Sequence, residues 1–233
     1  MNFFKLPFDF DVDLLKKDLE YCQKQLWVDH YNKGDYEGNW EIIALRSHSG
    51  DEKNIIPVDA DRYHDTELLS HCHYFKEVID SLLFEKQSIR LMSLFPESII
   101  KNHTDAGLEY DEGFFRLHIP ILTEKEVIFY FDEKPVHMAM GECWYGNFNV
   151  IHRVEHKGTL PRIHLVIDGL RNEWTDNIFI KAGFDFTIFE NKRRKERLKI
   201  LPQIIKNLEA MQNVNNEGIL QELKAELANG ITS

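Results

Sequence analysis

The tripeptide His103-Thr104-Asp105 places an imidazole and a carboxylate two positions apart. In an extended segment residues i and i+2 project to the same face, so the pair can offer a nitrogen and an oxygen to one divalent ion. A lone His-x-Asp is common by chance and equally suits a turn before Gly107. His152, far downstream in a β-rich stretch, adds a second imidazole. Two histidines and one carboxylate on one side of an ion leave positions open, as a non-haem iron(II) centre needs for a chelating co-substrate and oxygen. His156 is the competing third ligand.

An oxo-acid that chelates such an ion still carries a remote carboxylate, for which a planar guanidinium is the natural partner. Arg162 follows His152 by ten residues, after Lys157-Gly158-Thr159-Leu160-Pro161, and a hairpin would bring the two together. The other histidines, His30, His48, His64, His71, His73 and His137, lack ligand spacing and read as surface or hydrogen-bonded side chains. Cys22, Cys72 and Cys143 have no CxxC spacing and read as buried small hydrophobes in a reducing compartment.

These residues must be positioned by a strand-rich middle. Short β-type runs at 89–95, 114–122, 126–131, 136–140 and 162–168 are separated by turn residues, which predicts a barrel or sandwich of antiparallel strands. Before them, Val12, Leu15, Leu19, Cys22 and Leu26 predict an amphipathic helix within 11–30, and 40–46 reads as a strand. A second helix is predicted over 72–84, where Phe75, Val78, Ile79, Leu82 and Leu83 form one stripe. After Phe189 the texture is helical, with a basic run at 191–197 that suits a solvated face, and a last helix over 217–227. The organisation expected is an N-terminal part (1–87) packed on a core (88–189), then a helical segment (190–233) whose amphipathic faces suit an oligomer contact.

Composition bounds the rest. The chain has 233 residues, 43% hydrophobic and with 16 Phe, enough for a substantial core. Its net charge of -11 argues against a general grip on nucleic-acid phosphates. The first residues lack the apolar run of a signal peptide, and no run approaches the about 18 apolar residues of a membrane span, so a soluble, cytoplasmic protein is expected.

Four stretches in order give a more specific reading: His103-Thr104-Asp105; Phe115-Arg116-Leu117-His118; Gly141-Glu142-Cys143-Trp144 leading to His152; and Pro161-Arg162-Ile163-His164-Leu165-Val166-Ile167-Asp168. Together they resemble the aspartyl/asparaginyl β-hydroxylase family of iron(II)- and 2-oxoglutarate-dependent dioxygenases. The stretch 40–46 with Ser49-Gly50 is similar to its bacterial free L-proline hydroxylase branch. The resemblance implies a mainly β fold with flanking helices and a double-stranded β-helix (jelly-roll, cupin-type) core. It also implies that Fe(II) is bound by His103, Asp105 and His152, and that 2-oxoglutarate is held by Arg162 with help from Arg116 and His118. O2 would be the oxidant, and a free amino acid or an Asp, Asn or Pro residue in a peptide the substrate. Trp144 and His164 are the weaker pocket candidates, Trp144 fitting a barrel-wall role better and His164 a hydrogen-bonded structural role equally well. Arg46, Arg90 and Arg171 fit surface ion pairs better than a substrate clamp.

The stretch 145–151 departs from the family, which usually shows an acidic residue and a small hydroxyl or similar residue there; this bears on substrate identity and on no ligand. Two rival readings follow from the residues: a non-catalytic cupin-like metal-binding or ligand-sensing protein using the same triad, and a structural interaction protein working through its acidic surface and terminal helices. An intact Arg162 argues against the first, and the ordered His, Asp, His and Arg set against the second.

Overall fold

The computed structural model describes residues 2–58, 60–211 and 216–231. The chain divides into two compact units, Met1–Phe184 and Asp185–Ser233.

The first unit is built on two antiparallel sheets. In chain order its strands are β1 (Phe3–Asp9), β2 (Val28–Asp29), β3 (Tyr36–Glu37), β4 (Trp40–Ser47), β5 (His64–Asp65), β6 (Lys86–Leu94), β7 (Ile99–His103), β8 (Phe114–Leu122), β9 (Val127–Phe131), β10 (Lys134–Val136), β11 (Glu142–Gly146), β12 (His152–His156) and β13 (Arg162–Leu170). One sheet has the order β1-β11-β8-β13-β6-β4-β2, with β5 on β4; the other runs β10-β9-β12-β7-β3. From β6 to β9 successive strands alternate between sheets; β10 stays in the smaller one, β11 enters the larger, and alternation resumes to β13. That path is the double-stranded β-helix, with β6, β13, β8 and β11 facing β7, β12, β9 and β10.

Burial explains which strands were legible. The strands β6, β8 and β13 are buried along most of their length, because one face lines the barrel and the other is covered. Inside lie Trp40, Met92, Phe129, Phe131, Phe148, Val154 and Val166. Helices α1 (Val12–Cys22), α2 (Glu67–Ser70) and α3 (His73–Ser81) precede the barrel strands, and α4 (Glu173–Lys181) follows them.

The first helix is shorter than its apolar spacing predicts. Asp11 caps it, its carboxylate accepting from the N–H groups of Asp13 and Leu14 at 2.9 and 3.0 Å. At the other end the Trp27 indole N–H donates to the Cys22 carbonyl at 2.9 Å, and the chain turns into β2, leaving Leu26 exposed. Strands β1, β7, β11 and β12 lie where no strand was expected, and the run 136–140 contributes only the end of β10. All three cysteines are buried, with the Cys22 and Cys72 sulfurs 3.4 Å apart.

The second unit holds α5 (Thr187–Ala210) and α6 (Glu217–Ile231). Ion pairs Arg197–Glu226 and Lys224–Glu209 join these helices, and the 191–197 run is exposed on α5. Among the described residues no helix is long and apolar enough to cross a membrane.

Candidate metal and oxo-acid site

One cavity of about 590 Å³ opens between the two sheets, a volume in the usual range for a small-molecule site. The smaller sheet supplies His103 from the end of β7 and His152 from the start of β12, paired in register. The larger sheet supplies Arg90, Arg116, His118, Arg162 and Asp168. Strand alternation sets this face: Arg162, His164, Val166 and Asp168 are alternate residues of β13, as Arg116 and His118 are of β8. His152 and Arg162 therefore belong to different sheets, which corrects the expected hairpin between them. The reason is the barrel crossover, which carries the chain from one sheet to the other through residues 157–161.

His103, Asp105 and His152 bring one potential ligand atom each within 4.8 Å of one another. Their orientation is fixed by the main chain. The His103 Nδ1–H donates to the Lys101 carbonyl at 2.8 Å, and the His152 Nδ1–H donates to the Val150 carbonyl at 3.0 Å. Each ring is thereby held in the tautomer whose Nε2 lone pair is free for an ion. The His103 Nε2 lies 3.6 Å from the Asp105 Oδ1. Burial, then the neighbouring His103, lowers the His152 pKa to about 4, so its imidazole is neutral at pH 7. Burial works against the Asp105 carboxylate, but Arg116 and the two histidines outweigh it and hold its pKa below the usual value. His156 is used differently: its Nε2–H donates to the Leu160 carbonyl at 2.8 Å and its Nδ1 accepts the Gly158 N–H at 3.1 Å. Both its nitrogens are occupied.

Five buried polar side-chain atoms lack a hydrogen-bond partner among the described residues, and four belong to cavity-lining residues: Trp40 Nε1, Arg90 Nε, His118 Nε2 and Arg162 Nε. Buried polar groups are normally paired, so such a concentration marks a ligand site. Arg162 is the extreme case. It is 1% exposed, pairs with no carboxylate among the described residues, lies over the Phe129 ring at 5.3 Å, and has its pKa lowered to about 9 by burial. An isolated buried cation is costly without an anionic partner.

Arg116 differs. Its Nη1 donates to Asp105 Oδ2 at 2.5 Å, its Nε to Asp168 Oδ1 at 2.6 Å and its Nη2 to Asp168 Oδ2 at 3.1 Å. Burial lowers its pKa, but the two carboxylates more than reverse this. His118 Nδ1 and His164 Nδ1 are 3.1 Å apart in one hydrogen bond, and burial pushes both pKa values well down. His164 is buried beneath His118 and does not itself line the cavity. Trp144 packs beside the barrel core, its indole N–H donating to Glu142 at 2.8 Å, and is likewise absent from the lining.

A family model described as Aspartyl/Asparaginyl beta-hydroxylase matches residues 10–172, which include every residue of this site. The chain belongs to that family. An L-proline cis-4-hydroxylase of Rhizobium meliloti (strain 1021) is 28% identical over 164 residues, covering 68% of this chain and 57% of that protein. The match thus spans little more than half the length of that curated relative. Among solved structures, a 2OG-Fe(II) oxygenase family oxidoreductase from Burkholderia pseudomallei aligns with a TM-score of 0.48 at 13% identity, covering 69% of this chain and 80% of that one. A Pseudomonas putida prolyl-4-hydroxylase aligns with a TM-score of 0.46 at 11% identity, covering 74% and 93%.

Within this β-hydroxylase family chain, three cavity residues escaped the sequence reading. Arg90, expected on the surface, is 2% exposed and donates through Nη2 to Asp168 at 2.6 Å. Its position on a strand of uninterrupted apolar neighbours, Ile89 and Leu91, was the available signal. Asp168 shares the Arg162 face by simple alternation. His30 stacks on Trp40 at 3.7 Å between ring centroids and lines the cavity, with its pKa lowered to about 4 by burial and Arg90. Nothing in its local sequence marks it. Arg46 and Arg171 do form partly exposed ion pairs, with Asp65 and Asp176.

Proposed function

We propose that this chain is an iron(II)- and 2-oxoglutarate-dependent oxygenase that hydroxylates a small amino acid, with free proline the first candidate. The observation that carries the reading is the buried guanidinium of Arg162, without a carboxylate partner among the described residues, in the same cavity as a His-Asp-His set that could hold a metal. A protein that only held a metal would have no use for that cation, which favours the enzyme over a metal sensor.

In this reading His103, Asp105 and His152 hold the ion through two neutral imidazole nitrogens and one carboxylate oxygen. Arg162 would pair with the distal carboxylate of 2-oxoglutarate, giving its buried guanidinium an anionic partner. His118, with a buried Nε2 free beside it, offers one further polar contact to the oxo-acid. Iron(II) held there with 2-oxoglutarate and O2 would supply an oxidant for a substrate C–H bond, one oxygen atom of O2 going into the substrate and the other into succinate as the oxo-acid loses CO2. The side chains contribute placement and exclusion of water: Phe129, Phe148 and Val154 wall the cavity. No side chain has to accept a proton from the substrate carbon.

The substrate class rests on the likeness to the L-proline cis-4-hydroxylase and on a cavity that can take a small amino acid beside the oxo-acid. The test is succinate formation from 2-oxoglutarate by the anaerobically iron-loaded chain, across free amino acids and short Asp-, Asn- or Pro-containing peptides, with product masses read in parallel. Proline-stimulated succinate with a gain of about 16 Da, one oxygen atom per turnover, is expected. Stimulation by peptides alone would move the substrate class, and iron-dependent binding without any succinate would overturn the enzymatic reading.

A further inference from the structure

Four buried or half-buried charges form a chain across the cavity floor: Arg90, Asp168, Arg116 and Asp105. Arg90 Nη2 donates to Asp168 Oδ2 at 2.6 Å, the Arg116 fork closes on both Asp168 oxygens, and Arg116 Nη1 reaches Asp105 Oδ2 at 2.5 Å. Sheet register puts it there, because Asp168 on β13 stands opposite Arg116 on β8. Two cations meet two anions, and Asp105 is the end that also belongs to the ligand set.

From this geometry we infer that Asp168 is a positioning residue for Asp105, acting through Arg116; the inference rests on the reading of His103, Asp105 and His152 as a metal centre. A guanidinium facing a lone carboxylate tends to fork onto both of its oxygens. Here the fork of Arg116 is already committed to Asp168. Asp105 receives a single bond from the far side of the guanidinium, from Nη1 to Oδ2, which leaves Oδ1, the oxygen near His103 Nε2, for the ion. Asp105 is thereby held as a one-oxygen ligand, which keeps coordination positions open. Asp168 also offsets the positive charge of Arg116, which would otherwise repel a dication from the same carboxylate.

Arg116 is then a clamp on Asp105 while Asp168 is present and a competitor for it when Asp168 is absent. A purely structural Asp168 would behave differently: its loss would lower stability, leave the folded chain's ion affinity unchanged, and not be repaired by removing Arg116.

Mn2+ titration of the full chain, followed by the EPR signal of the free ion, separates the two. Asp168→Asn should weaken Mn2+ binding by about 10- to 100-fold, the usual effect of removing a partner of a ligating group. Asp168→Asn combined with Arg116→Gln should regain about tenfold or more of that loss, since the competitor is gone. Affinity within about twofold of the parent for Asp168→Asn, or no recovery in the double variant, would overturn the inference. Should Asp168→Asn fail to fold, Asp168→Glu, which keeps the buried charge but shifts it by one methylene, carries the same comparison with and without Arg116→Gln. His103→Ala serves as the reference for the site itself. If it binds Mn2+ like the parent, the metal-centre reading fails, whatever Asp168 does.

Discussion

His103 and His152 face each other in register across β7 and β12, their ring centroids 4.1 Å apart and each Nδ1–H tied to a main-chain carbonyl. Two imidazoles so restrained present paired Nε2 atoms without paying rotamer entropy on binding. His103→Ala or His152→Ala should therefore abolish stoichiometric Mn2+ or Fe2+ binding while the far-UV circular dichroism stays unchanged. His156→Ala should keep the ion and lose roughly 1–2 kcal/mol of stability, because it removes two hydrogen bonds to the main chain. Ion loss in His156→Ala would reverse the choice of third ligand.

Arg162 predicts opposite effects on stability and on co-substrate use. Arg162→Met removes a buried cation with no carboxylate partner among the described residues and puts an apolar side chain where the guanidinium lies over Phe129, so the ligand-free chain should unfold at higher urea, by about 1 kcal/mol or more. The same variant should need far more 2-oxoglutarate, a loss of roughly 2–5 kcal/mol for a buried charge pair. Isothermal titration with 2-oxoglutarate in the presence of Mn2+ measures the second effect, and urea titration the first. An unchanged 2-oxoglutarate affinity would assign the carboxylate to another residue.

Buried histidines make the fold acid-sensitive. The pKa values of His30 and His152 are lowered from 6.5 to about 4, and those of His118 and His164 also lie well below 6.5. The unfolded chain binds these protons first, so the stabilisation is full above about pH 6.5 and is lost as pH falls toward 4. For His30 alone the shift corresponds to roughly 3 kcal/mol. The urea midpoint of the metal-free chain should fall steadily between pH 7 and 4.5, and His30→Asn should flatten that slope. Equal slopes for the two chains would remove His30 from the account.

Gly141 opens the turn into β11 with φ of +78°, and a Cβ there would sit 2.6 Å from the Phe10 carbonyl oxygen. Phe10 in turn donates its N–H to the Gly141 carbonyl at 2.8 Å. Gly141→Ala is expected to destabilise the chain by roughly 1–3 kcal/mol, through the strained φ and the main-chain clash together. Thermal unfolding of the two proteins decides it; no change in melting temperature would mean the turn can shift.

The proposed site was legible in the sequence because chemistry leaves its residue types in place: the candidate ligands His103, Asp105 and His152, and Arg162 proposed for the oxo-acid, are visible without any coordinates. Strands such as β8 and β13 were legible too, since burial on both faces produces long apolar runs. The strands that carry the ligands were not. In β7 and β12 the inward positions mix Ile100 and Val154 with His103, His152 and His156, so the apolar alternation that signals a strand is broken where the site is built. Placing His152 and Arg162 in opposite sheets, burying Arg90, and linking Asp168 through Arg116 to Asp105 all depend on which strands become neighbours. Sequence alone determined the chemistry on offer and the faces of the long strands, because residue type and alternation are local. Tertiary structure decided which charges are paired and that Arg162 is buried with no carboxylate partner among the described residues, because strand order and register are set by contacts between residues far apart in the chain.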